Sequence, residues 1–239
     1  MIYILIAALA PVAMLLYYIY HKDEFQKEPV KEVLKAFGLG VASIFVSLMI
    51  SGPLGAFGFF PEVQETIWDC IAISFFGAAI PEEIAKFLMF WLLVRRNRYF
   101  DEHMDGIVYA AAVSHGFAGL ANIMYLFSSD DWIGTGIARA LFSVPGHFFF
   151  GILMGYYYSL AKFYPKTPLK NKILILVAPI IVHGLYDSIL FITDVTPAIS
   201  GILTIVFLVF CHKMWKYGNC RIKELILRDS TDNIEMMEL

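Results

Sequence analysis

Charge is scarce in this sequence. Asp, Glu, Lys and Arg make up 16% of its 239 residues against 59% hydrophobic ones, where soluble chains carry about 25% charged residues. With a mean hydropathy of +0.68, the composition excludes a soluble domain of this size. A formal net charge of −3 leaves no basic patch for nucleic acid. The three cysteines, Cys70, Cys211 and Cys220, are too few for a disulfide framework. No CxxC or Cys/His cluster suggests structural zinc, so they read as apolar fillers and a free thiol. The first twenty residues lack a basic start and an Ala-x-Ala-like site, and Met1 to Tyr20 reads as a retained span rather than a signal peptide.

What is present is a series of apolar runs long enough to cross a bilayer, for which about 20 residues suffice. They lie at 2–20, 33–54, 66–94, 106–127, 137–163, 173–192 and 198–214. The expected fold class is therefore all-α, a polytopic membrane protein of about seven helices. Residues 1–214 form one transmembrane domain, followed by a charged tail at 215–239 that forms a short interfacial helix or stays disordered. Cations follow every second span: Lys22, Lys27, Lys31 and Lys35; Arg95, Arg96 and Arg98; Lys162, Lys166, Lys170 and Lys172; then Lys213, Lys216, Arg221, Lys223 and Arg228. The intervening loops hold none. The positive-inside rule then places the N-terminus outside and the C-terminus in the cytosol.

Within this apolar background a few polar side chains stand out. The third span carries Pro81-Glu82-Glu83-Ile84-Ala85-Lys86. An ionisable group at mid-bilayer costs at least about 2.5–3.5 kcal/mol and by default marks a functional site. On a helix Lys86 reaches either carboxylate. Two adjacent carboxylates in low dielectric resist joint ionisation, so Lys86 can hold one charged while the other exchanges protons, an arrangement suited to general acid–base work. Pro81 removes a hydrogen bond one turn upstream and permits a bend.

The sixth span holds His183 and Asp187 one turn apart, and the fifth holds His147 in Pro145-Gly146-His147. Asn122 and Phe117 in the fourth span are the candidate substrate contacts. Gly151 and Gly155 have the spacing of close helix packing, and the glycine-rich faces of the fourth and fifth spans are candidate entry gates. Asp101, Glu102, His103 and Asp105 read first as a capped, solvated helix start.

The order of these motifs resembles the PrsW family of intramembrane proteases, relatives of the type II CAAX prenyl endopeptidases. The matching elements are Glu82-Glu83-x-x-Lys86, Phe100-Asp101-Glu102-x-x-Asp105-Gly106-Ile107-Val108-Tyr109, Gly116-Phe117-Ala118 with Asn122 and Tyr125, Pro145-Gly146-His147, and His183-Gly184-Leu185-Tyr186-Asp187. The resemblance implies peptide-bond hydrolysis at a bacterial plasma membrane, on a single-pass membrane protein such as an anti-sigma factor. It implies Glu82 and Glu83 as catalytic carboxylates, Lys86 as their charge partner, and His183, supported by Asp187, as the group facing the scissile carbonyl. His147 and Glu102 are further candidates. The sequence departs from the family pattern at Ala121, where a carboxylate is expected. This is either an engineered inactivation or a natural member with altered or absent activity.

Two chemistries follow. A glutamate can activate water while His183 and a cation stabilise the oxyanion, or Glu and His can bind a metal such as zinc. There is no HExxH pair, and Lys86 would compete with a metal, which favours hydrolysis without a cofactor. The rival functions are a proton- or ion-coupled transporter, against which no inverted repeat is evident, and a non-catalytic scaffold that binds transmembrane helices.

Overall fold

The computed structural model of the chain describes residues 1–164 and 169–237, with side chains through Thr231. Lys166 lies outside the described residues. Among those described there are helices and no strands, as apolar runs in hydrocarbon require, because the backbone must satisfy its own polar groups there. Helix α1 is Ile2–Lys22 and α2 is Val30–Ala56. The third run is built of α3 (Ile67–Ala72), a widened π-helical stretch (Ile73–Ala79) and α4 (Ile80–Val94). Helix α5 is His103–Ser128. The fifth run repeats the third in kind: α6 (Trp132–Ala138), a π stretch (Arg139–Ser143) and α7 (Val144–Phe163). Helices α8 (Leu169–Val195) and α9 (Ser200–Met237) follow.

Six helices are long and apolar enough to cross a membrane, namely Ile2–Lys22, Val30–Ala56, His103–Ser128, Trp132–Phe163, Leu169–Val195 and Pro197–Thr231. The other long helical run, 67–94, is set apart by Asp69, Glu82, Glu83 and Lys86. The chain is an all-α polytopic membrane protein.

Helix α5 is the centre of the bundle. Every residue from His103 to Gly119 is buried, and α1, α2, α4, α7 and α9 pack around it. Its small residues allow this. A Cβ on Gly116 would lie 1.9 Å from the Phe37 carbonyl oxygen of α2, and one on Gly155 of α7 would lie 2.2 Å from that of Gly106. The glycine-rich faces of the fourth and fifth spans are thus filled by neighbouring helices. At Gly106, Gly116, Gly151 and Gly155 the backbone of a neighbouring helix occupies the space that the expected entry gate would need.

The end of α1, the start of α5, the end of α7 and the far part of α9 meet at one end of the bundle. Tyr18 donates to Asn219 Oδ1 (3.0 Å), Ser159 to the His103 carbonyl (2.6 Å), and the His103 N–H to Asp229 Oδ1 (2.7 Å). Past Trp215, α9 continues unbroken and buries Ile222 and Leu225 against the bundle. It is neither a separate interfacial helix nor disordered over the described residues.

Candidate active site

Both widened stretches lead directly into a proline and then a polar side chain. The Ile80 N–H donates to the Phe75 carbonyl and the Val144 N–H to that of Arg139, five residues back in each case. Such turns relieve the clash of the Pro81 and Pro145 rings with the preceding turn, and they are frequent at functional sites. Two residues after each proline stand Glu83 and His147.

Glu83 is fully buried. Its Oε1 accepts from Lys86 Nζ (2.8 Å) and from His183 Nδ1 (2.8 Å), whereas its Oε2 is buried with no partner. Glu82 differs, keeping 21% of its side-chain surface open. Its Oε2 lies 3.3 Å from Lys86 Nζ and 3.9 Å from His183 Nε2. Lys86 is completely buried. Besides the two glutamates it donates to His147 Nδ1 (3.1 Å), and its ammonium stands 4.3 Å above the Phe117 ring, where the ring quadrupole favours a cation.

His183 has carboxylates on both nitrogens, since its Nε2 lies 3.2 Å from Asp187 Oδ2. Phe150 stacks on its ring at 4.5 Å. Third and sixth spans, separated by about 100 residues, therefore share one polar centre. Glu82, Glu83, His147 and His183 each bring a donor atom within 4.8 Å of all the others.

This centre opens on a cavity of about 350 Å³ whose wall includes Glu82, Phe117, Ala121, Arg139, His183 and Asp187. Ala121 thus faces the same space as the acidic and imidazole groups. Asn122 does not line it. Its amide donates to the Ala8 carbonyl (3.0 Å) and its Oδ1 accepts from Arg139 Nε (2.7 Å), so it anchors α5 to α1 and holds Arg139 rather than meeting a substrate.

Glu102 lies elsewhere. It is the N-cap of α5 in a capping box with Asp105, and Ala121 is 19 residues further on, ~28 Å along the helix. That helix start is capped as expected but not solvated, since Glu102, His103 and Asp105 are all buried. Arg139 is the wall residue that the sequence reading passes over. Its signal was the cost of an arginine at the edge of an apolar run.

Residues 28–212 match the sequence profile of the family described as PrsW family intramembrane metalloprotease. Protease PrsW of Geobacillus kaustophilus (strain HTA426) is 39% identical over 184 residues, 77% of this chain and 78% of that protein. Protease PrsW of Bacillus subtilis (strain 168) is 39% identical over 192 residues, 78% and 82% of the two chains. That of Clostridioides difficile (strain 630) is 31% identical over 218 residues, 89% and 90%. No solved structure matches. The bacterial relatives, together with six apolar helices, identify a multi-pass cell-membrane protein. The chain belongs to the PrsW family of intramembrane proteases.

Proposed function

We propose that this protein hydrolyses a peptide bond in or beside the transmembrane segment of a single-pass protein, with Glu82 exchanging the protons. The substrate class that the family resemblance suggests is an anti-sigma factor. The observation that carries the proposal is the meeting of Glu82, Glu83, Lys86 and His183 beside a cavity inside the bundle.

The two glutamates differ in setting and hence in role. Glu82 is the acid open to the cavity and takes a proton from water as the water oxygen adds to the scissile carbonyl. It returns that proton to the departing amine nitrogen as the C–N bond breaks, leaving a carboxylic acid and an amine. Glu83 is sealed in and fixes Lys86 and His183. Fixed donors aimed at the place where charge develops are the larger part of such catalysis. Arg139, on the wall, is the donor available to the oxyanion, and His183 Nε2, which lies against Asp187, joins it only by turning from that carboxylate.

The donor set also suits a metal. Glu83, His147 and His183 are carboxylate and imidazole ligands of the kind zinc takes, and three ligands with an open position are the pattern of catalytic sites. The unpartnered Oε2 of Glu83 is an atom a cation would satisfy. When bound, such an ion supplies an activated water and polarises the carbonyl. Lys86 sits among the same donors, so ammonium and metal compete for them. The family description favours a metal over the cofactor-free reading.

Cleavage of a tagged single-pass substrate in nanodiscs tests the proposal. Glu82→Gln is expected to lower kcat by ~10²–10⁴-fold while the substrate helix still co-purifies. Unchanged cleavage would overturn the assignment. Ala121 in the cavity wall favours a second reading, in which the chain binds a helix but cuts it slowly or not at all. Ion-dependent flux in proteoliposomes, lost in Glu82→Gln, would instead indicate the transporter.

A further inference from the structure

A second polar centre lies at the end of the bundle where α1 passes to α2 and α5 begins. Asp23, Glu102 and Asp105 are all buried, and each places a carboxylate oxygen within 4.8 Å of the others. Glu28, also buried, is the close neighbour of Asp105 and Asp23.

The carboxylates share a pattern. In Asp23, Glu28 and Asp105 one oxygen is fixed and the other is presented. Asp23 Oδ2 accepts from the Glu28 N–H (3.2 Å), and Asp105 Oδ2 accepts from the N–H groups of Asp101 (2.8 Å) and Glu102 (2.7 Å). Glu28 Oε2 accepts from the Tyr109 hydroxyl. The remaining oxygens, Asp23 Oδ1, Glu28 Oε1 and Asp105 Oδ1, are buried and have no partner. Glu102 is held through Oε2 by the Gln26 N–H (3.1 Å). No ion pair reaches Asp23, Glu28 or Asp105 among the described residues. The nearby Lys162 donates to the Phe100 carbonyl instead.

Buried acids that form no ion pair resist ionisation, and Lys27 and Lys162 act on these only from a distance. Burial raises the carboxyl of Asp23 to about 6 and that of Glu28 to about 7, and like-charged neighbours add to both shifts. A capping box accounts for one oxygen of Asp105, the carboxyl of Glu28 faces that residue, and Asp23 Oδ1 is left with neither. Presented oxygens from the α1–α2 loop and from the start of α5, brought together in the interior, are the arrangement of a ligand site.

We infer that Asp23, Glu28, Glu102 and Asp105 form a binding site for a divalent cation, distinct from the Glu82–His183 centre. The donors are all oxygen, which selects a hard ion of the calcium or magnesium class over zinc. Bound there, the ion clamps the loop between α1 and α2 to the start of the central helix.

Isothermal titration of the full chain in nanodiscs with CaCl₂ and with MgCl₂ tests the site. One equivalent of either ion is expected to bind the wild-type protein and the Glu82→Gln variant alike. Asp23→Asn and Glu28→Gln, which keep the size and one oxygen of each acid, are expected to weaken binding at least tenfold. Where a variant fails to fold, terbium(III) offers a reading on near-native protein. Its emission, excited through tyrosine, should fall in Tyr109→Phe and be quenched by Ca²⁺ in the wild type. Absence of binding by both ions, or binding unchanged in both acid variants, would overturn the inference. So would terbium emission that neither Ca²⁺ nor Tyr109→Phe reduces.

Discussion

Glu82 and Glu83 are neighbours in the chain but occupy different surroundings, one open to a cavity and one sealed between an ammonium and an imidazole. Sequence spacing makes the pair visible and puts Lys86 within reach. Which acid faces outward depends on where the sixth span lies, and local spacing carries no such information. The same holds for Asn122, a polar residue whose partner, the Ala8 carbonyl, is 114 positions away. Two outcomes follow at this scale. Ala121→Glu adds a carboxylate to the cavity wall and is expected to raise the cleavage rate by tenfold or more. An unchanged rate would show that this position is not the missing acid. Lys86→Met removes the ammonium that competes for the donors, so zinc retained after dialysis, measured by mass spectrometry, should rise relative to wild type. Equal retention would mean that Lys86 and the metal do not share donors.

At the level of helices, hydropathy marks the spans well, because each must bury a whole apolar surface in lipid or protein. It misses internal irregularities. The widened turns before Pro81 and Pro145 leave no periodic trace, and only the prolines themselves hint at them. Nor does hydropathy show that α9 runs past its apolar part to place Asp229 on the N–H groups of His103 and Met104. Those groups lie in the first turn of α5, where the helix itself supplies no acceptor. Asp229→Ala leaves them without these acceptors, and about 1–3 kcal/mol of stability should be lost, read as a lower Tm in detergent. Gly116→Ala sets a methyl against the Phe37 carbonyl. With no flexible side chain to yield, a cost of about 1–3 kcal/mol is expected, again measurable as a fall in Tm.

Over the whole molecule, the alternation of cations is the clearest signal in the sequence, and the loops it marks at 23–29 and 95–102 meet at one end of the bundle. The sense of insertion can be read with a native probe. Cys220 is exposed beyond the apolar part of α9, while Cys70 is buried. In intact cells a membrane-impermeant maleimide should leave Cys220 unlabelled, and permeabilisation should expose it. Labelling before permeabilisation would reverse the topology. What composition could not reveal is that the same end gathers buried acids from the α1–α2 loop and the start of α5. Asp23 and Glu102 sit in stretches that look solvated, and their burial arises from α9 and the α1–α2 loop folding over them.

The widened turn at Ile73–Ala79 has a consequence for how this chain tolerates change in length. It accommodates one residue more than regular α-helical pairing needs, so losing one there can restore regular winding and leave the glutamates aimed as before. A single deletion anywhere in 84–94 would instead swing the helix beyond it by ~100° and shift the start of α5. Length variation in this helix should therefore be confined to the few positions just ahead of its proline.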